Sequence, residues 1–190
     1  MFTNNYILFQ KTRFSSRHYA DTVTGVKNAV GTTCEIGLSS AYSCDIGGWL
    51  NRGRCAAIVG KYTGYIQNAD HGGVYFGAGS TPATKEDYCL EAPITSGLTI
   101  TNPSALTWEN GGNGKYTVAA DYLVRNTTES DINIGEIGVF VSAHYNSYTN
   151  LGNSTENNVL LMERTVLETP VTIPAGEARL IEYKITFNQS

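Results

Sequence analysis

The chain has 190 residues, enough to bury a sizeable core as one large domain or two small ones. Only 16% are charged, against about 25% in an average soluble domain, while 22 Thr, 20 Gly, 16 Asn and 12 Tyr dominate, a mixture that excludes a helical bundle or a disordered tail. The net charge of −4, from 13 Lys+Arg against 17 Asp+Glu, gives no electrostatic ground for binding nucleic acid.

Phe2, Tyr6 and Phe9 recur at steps of four and three, which puts three rings on one side of a short helix. Residues 1–14 therefore read as an arm, packed on its own domain or lent to a neighbouring subunit. Asn4 and Asn5 are candidate N-caps. The nearby basic cluster, Lys11, Arg13, Arg17 and His18, reads as a solvated face. This opening stretch has neither the basic start nor the apolar centre of a secretory leader, so export by that route is not expected. No apolar run reaches the ~18–20 residues needed to span a bilayer.

Thr32–Leu38 reads as a strand, Gly47-Gly48 as a turn, and the compact apolar run Cys55–Val59 as a buried strand. Lys61–Gly73 reads as a loop with one edge strand. Val74–Phe76 is a short strand, after which Gly77 and Gly79 open backbone conformations closed to other residues. This Gly-x-Gly lacks the third glycine of a dinucleotide fingerprint and the Gly-Lys-Ser/Thr ending of a phosphate loop, so no nucleotide cofactor is expected. Thr84–Tyr88 reads as one turn of helix.

The period-two alternation of Tyr116, Val118, Ala120, Tyr122 and Val124 with polar neighbours predicts a half-buried strand. Ile137, Val139 and Val141 predict another, although Phe140 falls on its nominal outer face. With the polar turn 126–131 between them, the two read as a hairpin. His144–Asn158 reads as a surface loop, followed by strands at Val159–Leu167, Val171–Ile173 and Ala178–Phe187 with turns at Glu168–Pro170 and 174–176. Ile181, Tyr183, Ile185 and Phe187 give the last strand an apolar face. The expected fold is all-β, a β-sandwich or jelly-roll-like arrangement of antiparallel strands with an N-terminal arm or short helix. Residues 15–190 form its single domain, with a weak subdivision near 92–97.

Catalytic patterns are sparse. His18, His71 and His144 are the only imidazoles, and no nucleophile-elbow sequence accompanies them. Glu86 with Asp87, Glu91, Glu109, and Glu129 with Asp131 are the acids that could pair for glycoside hydrolysis, mostly in turn-like contexts. Cys34, Cys44, Cys55 and Cys89 form no C-x-x-C and have no nearby histidine, so they read as reduced, partly buried thiols and no metal is expected. Tyr145 and Tyr148 flank Asn146 and Ser147, and Tyr62 and Tyr65 flank Thr63 and Gly64, combinations suited to stacking on a sugar. Asn126-Thr127-Thr128, Asn153-Ser154-Thr155 and Asn188-Gln189-Ser190 fit the N-glycosylation pattern, which arises easily by chance in Asn/Thr-rich sequence.

Four blocks carry a wider likeness: the opening MFTNNY, the stretch GGVYFGAGSTPATKEDYCLEAPI at 72–94, GEIGVF at 135–140 and LLMERTVLETPVTIPAGEARLIEYKITF at 160–187. In these blocks the chain resembles virion structural proteins of tailed bacteriophages and prophages, especially those of gut bacteria. The resemblance runs in order along the chain and is weakest over 15–70. It implies a subunit that associates with copies of itself and with other virion proteins, as a capsid-decorating, neck, tail or fibre component assembled in the host cytoplasm. It carries no catalytic residue. Under it Phe2, Tyr6 and Phe9 become the assembly arm, and neither membrane nor nucleic acid is an expected partner. The alternative is a receptor- or glycan-binding module of a fibre, with Tyr145 and Tyr148 as the contact to a host-surface glycan. A surface-polysaccharide depolymerase is the enzymatic rival.

Overall fold

The computed structural model describes residues 1–15, 22–37, 49–58, 61–63, 72–149 and 152–188. The helix α1 (Asn4–Ser15) precedes eleven strands among them. These are β1 (Thr22–Lys27), β2 (Thr33–Gly37), β3 (Gly53–Arg54), β4 (Lys61–Thr63), β5 (Gly73–Gly77), β6 (Leu98–Thr101), β7 (Thr107–Gly112), β8 (Lys115–Asn126), β9 (Ile132–Thr149), β10 (Gly152–Ile173) and β11 (Ala178–Asn188). The fold is all-β and sandwich-like, with nearly all pairings antiparallel. One sheet runs β3-β5-β9-β10-β4, and β3 with β5 is its parallel pair. The facing sheet runs β11-β8-β6, with β7 also on β8. β1 and β2 form a separate hairpin.

Alternation builds the main core. Val118, Ala120, Tyr122 and Val124 of β8 and Ile181, Tyr183 and Ile185 of β11 meet Val74, Phe76, Ile137, Val139, Val141, Leu160 and Met162 of the other sheet. Phe76 and Tyr122 touch edge to face across the layers, with ring centroids 5.8 Å apart. This core draws on strands from both sides of residues 92–97.

The five-stranded sheet is also buried on its far side. There Tyr75, Phe140, Leu161 and Val159 pack with Ala29 and Leu90. Phe140, which alternation assigned to an outer face, is thus fully buried in a second core. The β1–β2 turn supplies Ala29, whose backbone N–H donates to Val159 O at 2.8 Å. Central strands covered on both faces read as continuous apolar runs, and VFV and VLLM do so.

Four expectations are corrected. β8 and β9 are not a hairpin; they belong to opposite sheets. Asn126 organises the crossing: its buried amide donates to Ser130 O and Ile173 O at 2.7 and 2.9 Å and accepts from the Thr128 backbone and hydroxyl. A fully bonded, buried amide cannot carry a glycan, so the sequon at 126 is structural. The expected loop His144–Asn158 is corrected too: the backbone of its described parts, 144–149 and 152–158, forms the distal ladder of β9 with β10, with Tyr145 opposite Glu156 and Tyr148 opposite Asn153. Glu168–Pro170 does not end a strand: Val166 pairs with Glu136 and Val171 with Ile134, so residues 167–170 bulge out within β10. Cys55–Ile58 is no buried strand, and Ala56 and Ala57 are exposed.

β7 escaped the sequence reading although Asn113-Gly114 marks it. Both residues have positive φ, 50° and 74°, the geometry of a tight turn whose twist suits a hairpin.

Candidate functional site

The N-terminal segment meets β10 where that strand bulges. Leu161 lies opposite Phe140 and Glu163 opposite Val139, so Met162 has no opposite number. The extra residue reverses the strand's facing. Met162 and Glu163 both serve the inter-sheet side, and Arg164 turns to the far side.

On the inter-sheet side, the buried Glu163 carboxylate accepts from the Tyr183 hydroxyl, the Thr165 hydroxyl and the Met1 ammonium group. Burial, and next the nearby Glu163 charge, push the Tyr183 phenol well above its ordinary range. Thr3 N–H donates to Met162 O at 3.0 Å and Arg164 N–H to Met1 O at 3.1 Å, so residues 1–3 run along β10 as a short added strand. Phe2 stacks on Tyr6 at 4.2 Å and leans on Phe187 at 5.3 Å. The arm is therefore seated on its own domain through Phe2 and Tyr6; the Phe9 side chain lies outside the described residues. Neither Asn4 nor Asn5 caps α1 as expected. The Asn5 amide instead pairs with the backbone of Lys27, donating to its carbonyl and accepting from its N–H, both at 2.8 Å.

On the far side, Arg164 gathers three carboxylates. Its Nε donates to Glu136 at 2.8 Å, its Nη1 to Asp87 at 2.8 Å, and its Nη2 lies 3.5 Å from Glu91. Glu136 is fully buried. Its Oε1 accepts from Gly79 N–H at 3.2 Å and Ala92 N–H at 2.8 Å, and its Oε2 also accepts from Glu91 N–H at 3.1 Å. These donors fill the carboxylate's acceptor positions. Burial opposes the Asp87 charge, but the Thr84 backbone N–H and the Arg164 guanidinium outweigh it and hold the carboxyl below its ordinary pKa. At Glu91 the Thr81 and Ser80 bonds have the same effect.

The glycines of 77–79 find their reason here. Neither has positive φ. A Cβ at Gly79 would stand 2.5 Å from Glu136 Oε1, and one at Gly77 would stand 2.8 Å from Ala92 O. Close approach, not unusual backbone conformation, excludes a side chain. The loop does cradle an anion, and that anion is the chain's own glutamate.

Of the acids considered for hydrolysis, the fold brings Asp87 and Glu91 together and leaves Glu109, Glu129 and Asp131 elsewhere. Sequence reasoning missed Glu136 and Arg164. The available signal was a charged residue at a buried position of an apolar strand. Every buried side-chain nitrogen and oxygen among the described residues has a hydrogen-bond partner. No group of three or more His, Cys, Asp or Glu among them is placed to hold a metal ion.

Beside this centre, α1, β1 and the 84–88 turn enclose a cleft of about 330 Å³. Lys27, Lys85, Glu86 and Asp87 line it, so it presents both signs of charge. Lys27 Nζ stands 5.9 Å from the Tyr88 ring centroid. Cys34, Cys55 and Cys89 are half-buried, and burial raises the thiol pKa of the latter two. Cys44, His18, His71 and Tyr65 lie outside the described residues, as do the side chains of Tyr62, His144, Tyr145 and Tyr148.

Among the described residues, half of the large apolar side chains left exposed lie on the four-stranded sheet, divided between its two faces. Leu123 and Leu180 face each other across β8 and β11 and are 45% and 67% exposed; Trp108 on β7 is 64% exposed. Among the described residues no helix is long and apolar enough to cross a membrane. No family model, curated protein or solved structure matches the chain.

Proposed function

We propose that this chain is a structural subunit of a tailed-phage or prophage particle, acting by association with copies of itself and with other particle proteins, and not by catalysis. One observation carries the reading. The four sequence blocks that bear the virion likeness converge on one place in the fold. MFTNNY lies along LLMERT through Thr3 and Met162, while the 72–94 stretch wraps Glu136 of GEIGVF and delivers Asp87 and Glu91 to Arg164. The residues of these blocks are those that lock the sandwich, as expected of a chain that acts through its shape. The charged groups are saturated by one another, which suits a scaffold better than a site awaiting substrate. The exposed Leu123–Leu180 pair on the outer face of the four-stranded sheet supplies apolar surface for neighbours.

Mass spectrometry of particles purified from an induced lysogen tests this. The chain is expected in stoichiometric amount with the other particle proteins, at a capsid, neck, tail or fibre position. Its absence from purified particles, with abundant free chain in the same lysate, would overturn the reading.

A further inference from the structure

We infer that β11 is a self-pairing strand: two copies of this chain join their four-stranded sheets edge to edge, β11 antiparallel to β11, about a twofold axis at Tyr183. This names the self-partner of the function proposed above and rests on that reading for its biological role. The pairing itself is argued from β11.

β11 pairs with β8 over all eleven of its residues with no shift of register. On its other side it has no partner among the described residues. Along that edge it has no proline, no bulge and no inward-pointing charge at its centre; its central charges, Glu182 and Lys184, stand on the outer face. A regular exposed edge of this length is a template for another strand.

The sequence of β11 is complementary to itself in one register. A twofold antiparallel ladder must be centred on a residue, because opposed residues share the same facing. Centred on Tyr183, it sets Glu182 against Lys184 twice and Ile181 against Ile185 twice, and the full strand overlaps. Moving the centre by one residue in either direction sets Glu182 against Glu182 or Lys184 against Lys184. Like charges directly opposed are destabilising, so charge selects the Tyr183 register.

Glu182 also faces a like charge within its own sheet. It lies directly opposite Asp121 of β8, and its counter-charge is Lys184 of the same strand, at 2.9 Å. A second copy brings another Lys184 to the open flank of Glu182. The Leu123–Leu180 pair next to the edge then becomes part of a surface continuing across both copies.

Sedimentation equilibrium of the full chain, with charge reversals at exposed positions, tests the inference. The wild type is expected to be dimeric at micromolar concentration. Glu182→Lys and Lys184→Glu each create two like-charge oppositions by symmetry, and each should weaken the dimer by about tenfold or more. The double reversal restores opposite charges and should restore the dimer. A wild-type chain that stays monomeric at high micromolar concentration overturns the inference, as does a dimer indifferent to single reversals or a double reversal that stays dissociated. The two proposals fail separately. A monomer found in purified particles sinks the pairing alone; a dimer absent from particles sinks the virion reading alone.

Discussion

Arg164 shows how much of this fold turns on single side chains. It is buried among three acids, and its removal would leave the fully buried Glu136 with no counter-charge. Arg164→Met should cost about 3–5 kcal/mol of unfolding free energy by denaturant titration, the range for breaking a buried pair from one side. Replacing Glu136 and Arg164 together with apolar residues should cost less than the two single changes summed. Asp87 sets a pH dependence. Its pKa is depressed in the folded chain, so its contribution is present above the ordinary carboxylate value and is lost as pH falls below about 4. Thermal melts should show Asp87→Asn losing less stability than wild type between neutral pH and pH 3. Gly79→Ala should destabilise through contact with Glu136, by at least the about 1–3 kcal/mol typical of overpacking. From sequence, Asp87 and Glu91 were visible as acids but their meaning was not. Arg164 is remote from both along the chain, and a bulge, which leaves no mark in hydrophobic periodicity, decides which way it points.

At the scale of elements, legibility followed burial. β8 and β11 have one face in the core and one in water, so their alternation is plain and both were placed within a residue or two. The distal parts of β9 and β10 are built from Asn, Ser, Thr and Tyr, whose turn preferences hid a regular ladder. The pairing of β8 with β9 was misjudged for another reason. A short polar connection serves equally for a hairpin and for a crossing between layers, and only the Asn126 bonds distinguish them. The N-terminal segment was legible as an aromatic arm, but not the surface that receives it. Deleting residues 1–3 should uncover the β10 edge at 161–164 and leave Glu163 with fewer partners. The expected outcome is a lower melting temperature and faster aggregation on heating, read by scanning calorimetry and light scattering.

Across the whole molecule, two layers cover the five-stranded sheet: the facing sheet on one side, and the 84–92 segment with Ala29 of the β1–β2 turn on the other. Amide exchange should therefore be slowest in the 136–141 part of β9 and the 159–164 part of β10, which are covered on both faces, and fastest in β7, whose residues are all exposed. The bulge at Met162 has a consequence of a different kind. Most positions in this chain can be judged by which side chain stands there; between 160 and 166 the count of residues matters as much as their identity. Straightening the bulge with every residue kept would exchange Glu163 and Arg164 between the two faces of the sheet, so the one surplus residue is what holds each ionised group on the side where its partners stand.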